Sequence, residues 1–330
     1  MSRITIKDIG KLVGVSPSTV SRALHDHPDI SAELKLKIQS VATEMNFIPN
    51  ATAINLRSKK SMIIGLIIPK LSMYFIPSLI EGISNELNKK NYKLMVLSSD
   101  ESIEKEIQNI KICCDSNVDG ILISLTNKTN HLDHFSPAFN HGIPIVLIDK
   151  TIHQDQIDEV IIDDFAASKN CAEYLLNKNC KNILGIFGDA NMSITIDRLK
   201  GFEATLAKDK GIQYKIIFAE NSEIASEKSL IELTSNKDLD GIFMMSDEIM
   251  VGVNKSLYEF EQKNKSKTAI KKIAISDGQL PQFMTPNISY LHHSGFELGK
   301  LAVAVLYDNF SPNTKTTLKR HYLSTALLEF

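Results

Sequence analysis

The sequence predicts a mixed α/β protein, in which a small all-α head precedes a larger body of doubly wound parallel sheets. Apolar residues recur at helical spacing through the first 46 residues, whereas short apolar runs alternate with segments of helical length from residue 62 onward. Of the 330 residues, 43% are hydrophobic and 23% are charged. This composition is near the globular average, so a collagen-like or wholly disordered chain is excluded.

Start and stop signals predict three short helices in the head. Thr5 is suited to cap the first helix, which Gly14 ends. Ser16 is suited to cap a second helix, in which Pro17 occupies the first position, where no N–H is needed. Ser31 begins a third helix. Three helices at this spacing form a compact unit with one small core.

Strand and helix then alternate about nine times, which is typical of parallel sheets covered by helices. The apolar runs lie at 62–68, 93–98, 120–125, 144–149, 160–163, 182–187, 215–219, 241–245 and 272–276. The segments of helical length lie at 77–89, 104–113, 166–177, 198–208, 225–233, 249–260 and 295–308, and a strand at 322–330 ends the chain. Nine strands are many for one open sheet, so two sheets in tandem are predicted.

Charge is unevenly distributed along the chain. The net charge is −2, yet residues 1–60 contain nine basic and five acidic side chains. A basic head on an acidic body indicates an anionic partner for the head. The four cysteines lack CxxC spacing and the amino terminus lacks an apolar signal segment. A zinc site and a disulfide framework are therefore not expected. A cytoplasmic location is expected.

Residues 6–24 have the pattern of a helix-turn-helix, which places its second helix in the major groove of DNA. The candidate DNA-contacting residues in and beside it are Thr5, Ser16, Pro17, Ser18, Ser21 and Arg22. Short hydroxyl side chains allow close approach to base edges, and Arg22 can donate two hydrogen bonds to a guanine. The alternative is a helical module that docks on protein.

The head and linker resemble the lactose-repressor (LacI/GalR) family of bacterial transcriptional regulators in the segments ITIKDIGKLVGVSPSTVSRALHDHPDIS and NFIPNATAINLRSKKSMIIGLIIP. The resemblance continues through VDGILIS, GIPIVLID, DRLKGF and DGIFMMSDEIMVG, and so extends over nearly the whole chain. It implies a helix-turn-helix domain at 1–49, a hinge helix and linker at 50–61, and an effector-binding and dimerisation domain at 62–330. This implied domain is periplasmic-binding-protein-like, with one lobe at about 62–160 plus 291–320 and the other at about 161–290 plus 321–330.

In the hinge, the resemblance implies DNA contacts by Asn50, Ala53 and Leu56. A helix this short is marginal alone and is expected to order only when it pairs with its dimer mate on DNA. Leu56 resembles the residue that wedges between base pairs in the minor groove and kinks the duplex. An ordinary linker leucine is the alternative.

Ligands of doubly wound sheets bind beyond the carboxyl ends of the strands, and the resemblance implies effector contacts there. The candidates are Ser72, Phe75, Asp149, Asp163, Arg198, Ser246, Asp277 and His293. The Arg198 guanidinium offers donors in a fixed fork suited to hydroxyls, phosphate or carboxylate. Alternatives stay open, because an Asp after a strand is often a helix N-cap and Arg198 can form a salt bridge between the lobes.

No GxGxxG, Walker A, HExxH or GxSxG motif occurs, and no catalytic constellation is found. The sequence therefore predicts a DNA-binding transcriptional regulator, a repressor, that is not an enzyme and has no cofactor and no metal. The expected partners are a palindromic double-stranded operator, a small-molecule effector such as a sugar or sugar phosphate, and a second copy of the chain. No membrane association is expected. A solute-binding protein and an α/β enzyme with a fused helical domain are the alternatives.

Overall fold

The structure, a computed structural model, describes residues 4–47, 60–152, 156–263, 270–285, 287–310 and 319–330. The chain divides into two units, Met1–Ser61 and Met62–Phe330. The first unit contains the helical head, and the second is the α/β body. Within the described ranges, no helix is long and apolar enough to cross a membrane.

The head consists of α1 (Ile6–Val13), α2 (Pro17–Leu24) and α3 (Ala32–Glu44). Gly14 ends α1 in the left-handed conformation, with φ of 80°, and its N–H donates to the Gly10 carbonyl over 2.9 Å. Ser16 and Ser31 cap α2 and α3 through their side-chain oxygens, as predicted. One small core fills the space between the helices and is formed by Ile9, Val20, Ala23, Ile38 and Ala42.

Strands and helices alternate through most of the described part of the body. Its strands are β1 (Ile63–Ile68), β2 (Lys93–Ser98), β3 (Gly120–Ile123), β4 (Ile145–Ile148), β5 (Asp158–Ile162), β6 (Asn182–Phe187), β7 (Gln213–Phe218), β8 (Gly241–Met244), β9 (Lys271–Ser276), β10 (Ser289–His292), β11 (Arg320–Leu323) and β12 (Ala326–Leu328). Its α-helices are α4 (Phe75–Asn88), α5 (Ile103–Asp115), α6 (Ser136–Asn140), α7 (Asp164–Asn177), α8 (Ser193–Leu206), α9 (Ser222–Ser235), α10 (Asp247–Lys263) and α11 (Gly295–Asp308).

These strands form two sheets, as the number of apolar runs predicted, and each sheet has six strands. The amino-lobe sheet has the order β11-β5-β4-β3-β1-β2 and is parallel throughout. The carboxyl-lobe sheet has the order β12-β10-β9-β8-β6-β7, with β12 alone antiparallel to its neighbour. All four cysteines are buried with free thiols.

Helices cover both faces of the amino-lobe sheet. Leu66 and Leu122 pack with α4 and α11 on one face. Ile67 and Ile121, which alternate with them along the strands, pack with α5 and α6 on the other face. A strand buried on both faces needs apolar residues at successive positions, which is why these strands are visible in the sequence as continuous apolar runs.

The chain crosses between the lobes three times, at residues 163, 293–294 and 324–325. The predicted crossings at 160/161, 290/291 and 320/321 are too early, because β5, β10 and β11 extend two or three residues further. The predicted single strand at 322–330 is wrong. β11 and β12 lie in different sheets, since the two residues between them carry the chain from one lobe to the other.

Candidate functional site

The exposed surface of the helix-turn-helix lies at the start of α2. Ser16, Pro17 and Ser18 are exposed there, and Ser21 and Arg22 are half-buried one turn later. Ser16 Oγ accepts a backbone N–H bond as the N-cap, and Pro17 has no N–H to satisfy. The first turn of α2 therefore presents short side chains, which suit close approach to the major groove.

Thr5 is exposed at the start of α1, but its polar groups are engaged within the head. Its hydroxyl and its N–H both donate to Asp8 Oδ2, over 2.7 Å and 2.9 Å. These hydrogen bonds lower the pKa of the Asp8 carboxyl. A DNA phosphate bound at Thr5 would therefore lie next to the ionised Asp8 carboxylate. The other predicted DNA contacts, Asn50, Ala53 and Leu56, lie outside the described residues.

A cavity of about 780 Å³ lies between the two lobes of the body. Side chains that follow the carboxyl ends of strands in both sheets line it, as the parallel topology requires. Seven of the eight predicted effector residues are among them: Ser72, Phe75, Asp149, Arg198, Ser246, Asp277 and His293. The volume is in the range of small-molecule sites.

Asp163 does not line the cavity, which corrects the prediction for this position. Its carboxylate accepts the Ala166 N–H over 2.9 Å and caps α7, and the side chain is exposed. A capping carboxylate must face the N–H groups of the first helical turn, so it cannot also point into the cavity. The next residue, Asp164, is the one that contacts Arg198.

Arg198 is 4% exposed and is held within the carboxyl lobe. Its Nε donates to Asp164 Oδ1 over 2.7 Å, and its Nη1 donates to the Met245 carbonyl. Burial raises the pKa of Asp164, and the guanidinium opposes that rise. The ion pair joins α7 to α8 and is therefore not a salt bridge between the lobes. It fixes the orientation of the guanidinium at the cavity wall.

Two buried carboxylates lie side by side at the ends of β8 and β9. Asp247 accepts hydrogen bonds from the Ser276 hydroxyl and the Asp277 N–H, and burial raises the pKa of Asp247 to about 6. Asp277 Oδ1 accepts the Gly295 N–H over 2.6 Å, while Oδ2 has no hydrogen-bond partner among the described residues. Burial raises the pKa of Asp277 as well. A buried oxygen in this condition favours a ligand that donates a hydrogen bond.

His293 lies in the second crossing and is 6% exposed. Its ring packs against Phe75, with centroids 4.6 Å apart. Burial, aided by the charge of Arg198, lowers the pKa of His293 to about 3, so the ring is neutral at pH 7. Nε2 has no partner in the part of the chain that the structure describes. The cavity wall thus contains a second buried polar atom that a ligand can satisfy.

The sequence did not predict a charged network on the amino-lobe side of the cavity. Lys150 donates to Glu101 Oε1 over 2.8 Å and to Asn127 Oδ1 over 3.0 Å. Glu101 Oε2 in turn accepts the Asn127 N–H over 2.9 Å, and all three residues line the cavity. Each of the three residues follows a strand, and this position was the signal in the sequence that could have identified them as cavity residues. Position after a strand does not, however, tell which side chain turns inward.

Hydrogen bonds also join the lobes at the cavity. The Tyr74 N–H of the amino lobe donates to Glu248 Oε1 of the carboxyl lobe over 2.9 Å. The Ser193 hydroxyl of the carboxyl lobe donates to the Thr151 carbonyl of the amino lobe over 2.9 Å. A ligand that contacts both walls adds to these contacts and favours this lobe arrangement over a more open one.

Asp149→Asn is expected to change how the stability of the body depends on pH. Burial raises the pKa of Asp149 from the ordinary 3.8 to about 6. The folded state therefore favours the protonated carboxyl, and this stabilisation is present below pH 3.8 and is lost as the pH rises through about 6. Asparagine does not titrate and tolerates the left-handed φ of 58° at this position.

Between pH 4 and pH 8, the Asp149→Asn variant should gain about 1–3 kcal/mol in unfolding free energy relative to the wild type. Chemical denaturation of both proteins at the two pH values measures this difference. Asp100→Asn is the control, since Asp100 also has a left-handed φ but is exposed, and hydrogen bonds from Lys105 and Ser98 lower its pKa. Between pH 4 and pH 8, the Asp100→Asn control should lose unfolding free energy relative to the wild type. A pH-independent difference for Asp149→Asn would contradict the prediction.

Comparison with known families identifies both parts of the chain. Residues 5–50 match the family described as bacterial regulatory proteins, lacI family. Residues 61–303, more than half of the chain, match the family described as periplasmic binding proteins and sugar binding domain of LacI family. The chain belongs to the LacI family.

Relatives of this LacI-family protein match along nearly its full length. The ribose operon repressor of Lactococcus lactis subsp. lactis (strain IL1403) is 28% identical and aligns with 97% of this chain and 96% of its own. The NTD biosynthesis operon regulator NtdR of Bacillus subtilis (strain 168) is also 28% identical, over 98% of each chain. A lac repressor dimer bound to operator and the anti-inducer ONPF has the same fold, with a TM-score of 0.85 at 18% identity over 99% of this chain and 98% of that one.

Membership of the LacI family defines the class of activity. This LacI-family protein is a DNA-binding transcriptional regulator controlled by a small-molecule effector, and it is not an enzyme. The predicted fold class, a helical head with two parallel-sheet lobes, is confirmed. The head corresponds to the family's DNA-binding domain and the body to its sugar-binding domain.

Proposed function

We propose that this protein is a homodimeric repressor that binds a palindromic operator and changes its DNA affinity when a sugar occupies the interlobe cavity. Two observations carry the proposal: the head has an exposed helix-turn-helix surface, and the cavity of the body contains two buried polar atoms without partners among the described residues, Asp277 Oδ2 and His293 Nε2. A sugar that favours one lobe arrangement shifts its population, and linkage transmits that shift to the DNA affinity. Because it acts on DNA, the protein works in the bacterial cytoplasm.

A second copy of the chain is the proposed partner of the sheet edges. β2 and β7 each form one edge of their sheet, opposite β11 and β12, and both carry half-exposed apolar side chains. On α5, Ile107 and Ile112 are 45% and 42% exposed. Natural proteins usually cover apolar sheet edges, and a two-fold dimer covers the same edge on both copies. Two-fold symmetry in turn suits an inverted repeat in the DNA.

The hinge is proposed at residues 50–61, between a helix-turn-helix domain at 1–49 and the body at 62–330. Its proposed DNA contacts are Asn50, Ala53 and Leu56, with Leu56 wedged between base pairs in the minor groove. Support comes from the family pattern in the sequence. In the cavity, the seven lining residues predicted from the sequence are the proposed effector contacts.

Footprinting on chromosomal fragments of the host tests the proposed function. The purified full chain should protect an inverted repeat. A thermal-shift screen identifies the effector, since a bound ligand raises the melting temperature of the protein by mass action. Ribose is the first sugar to test because the Lactococcus lactis relative is named for the ribose operon. Folded protein that protects no inverted repeat would overturn the proposal.

Arg22→Ala should weaken operator binding and relax base preference at the position that Arg22 contacts. Loss of a bidentate arginine–guanine contact costs about 1–3 kcal/mol of discrimination. Mobility shifts on the operator and on single-base variants measure both effects. Lys37→Ala is the control, because Lys37 is exposed on α3. This substitution removes one positive charge from the head, as Arg22→Ala does, but outside α2. The base preference of the Lys37→Ala protein should be unchanged. An Arg22→Ala protein with wild-type base preference would contradict the proposed role of Arg22 in base recognition.

A further inference from the structure

The charges around the interlobe cavity indicate which ligands it accepts. Among the described residues, eight carboxylates and four cationic side chains line it. The carboxylates are Asp100, Glu101, Asp149, Asp189, Glu220, Asp247, Glu248 and Asp277, and the cations are Lys70, Lys128, Lys150 and Arg198. The lining therefore has an excess of negative charge, and the buried His293 is neutral.

Both buried cations of the lining are already paired with carboxylates. Arg198, 4% exposed, is paired with Asp164 over 2.7 Å. Lys150, 6% exposed, is paired with Glu101 over 2.8 Å. The other two cations, Lys70 and Lys128, are exposed to solvent, which screens their charge. A buried anion would thus lie near carboxylates that have no cationic partner. In the lining described here, no buried cation is left without a carboxylate partner to bind the anion.

The two unpaired polar atoms of the cavity also suit a ligand with hydrogen-bond donors. Asp277 is 8% exposed and its Oδ2 can only accept while the carboxyl is ionised. His293 Nε2, on a ring that is 6% exposed, donates or accepts according to its tautomer. A hydroxyl can donate to Asp277 and accept from His293, and an ammonium can donate to both. A phosphate monoester carries a mean charge of about −1.5 to −2 at pH 7, and its dianion has hydrogen-bond acceptors alone.

We infer that the cavity selects polyhydroxylated ligands that are neutral or carry an amine, and that it rejects their phosphorylated counterparts. This inference rests on the proposed function, because it describes the effector of the same cavity. It narrows the effector from sugars and sugar phosphates to sugars and amino sugars. The selectivity arises from charge repulsion and from the missing buried cation, since the cavity volume of about 780 Å³ has room for a sugar of either kind.

Isothermal titration calorimetry of the full chain tests the inference with three matched pairs of ligands. These are ribose and ribose 5-phosphate, glucose and glucose 6-phosphate, and glucosamine and glucosamine 6-phosphate. In the pair that fits the cavity best, the unphosphorylated member should bind at least tenfold more tightly. Equal or tighter binding of the phosphorylated member would overturn the inference and leave the proposed function intact.

Glu101→Gln provides a second measurement. It removes the carboxylate that neutralises Lys150, so the affinity ratio between unphosphorylated and phosphorylated members should fall at least threefold. Glu227→Gln is the matched control, because Glu227 is exposed on α9 and does not line the cavity. Its ratio should equal that of the wild type. An unchanged ratio in Glu101→Gln, or binding of none of the six ligands, would overturn the inference. Operator footprinting of the same preparation then shows separately whether the DNA-binding function holds.

Discussion

Arg198→Met should lower the unfolding free energy of the body by about 3–5 kcal/mol, the cost of leaving one partner of a buried ion pair without the other. Asp164 would remain buried without its cation, and the Met245 carbonyl would lose its donor. Since the guanidinium now opposes the rise in the pKa of Asp164, its removal should raise that pKa further. The variant should therefore recover stability as the pH falls and the carboxyl becomes protonated.

A double variant separates the structural role of Arg198 from its role in the cavity. Arg198→Met with Asp164→Leu replaces both charges by apolar groups, which is often neutral for stability. It should restore most of the lost unfolding free energy and still fail to bind the sugar that stabilises the wild type. Lys200→Met is the control, because Lys200 is exposed on the same helix. Denaturation and calorimetry make both comparisons. A double variant that binds the sugar normally would exclude Arg198 as a ligand contact.

Gly82→Ala should destabilise the body by about 3 kcal/mol, although alanine favours a helix over glycine by ~1 kcal/mol. A Cβ at Gly82, in the middle of α4, would lie 2.0 Å from the Phe296 carbonyl oxygen in the first turn of α11. Rigid backbone cannot yield as a flexible side chain does, so the two helices must move apart. The displacement would loosen the core between Leu79 and Leu298.

The Gly82→Ala displacement should also reach the cavity, because α11 begins at Gly295, whose N–H donates to Asp277. Sugar affinity should fall together with stability. Gly211→Ala is the control: Gly211 lies in an exposed turn, and a Cβ there would meet only the Asp209 side chain, at 3.2 Å. It should change the unfolding free energy by less than ~0.5 kcal/mol. If Gly82→Ala is as stable as the wild type, the close packing of α4 on α11 is not a constraint.

The strand ends were predictable from the sequence, but the direction of the side chains there was not. Two adjacent aspartates follow β5, and the sequence favoured Asp163 for the cavity. The structure has Asp163 capping α7 and Asp164 paired with Arg198. Both roles suit a carboxylate after a strand, and choosing between them requires the position of Arg198, which lies 34 residues further along the chain.

The sequence by itself determined the helical head with its caps, the two-sheet body and the family, because caps, turns and buried strands depend on residues within a few positions of one another. Tertiary structure alone decided which groups face the cavity and which charges remain unbalanced there. The pairing of Lys150 with Glu101 and the contact of Asp277 with Gly295 join residues distant in sequence. Such pairs have no local signal, since the folding of the sheets brings them together, and they set the chemistry of the site.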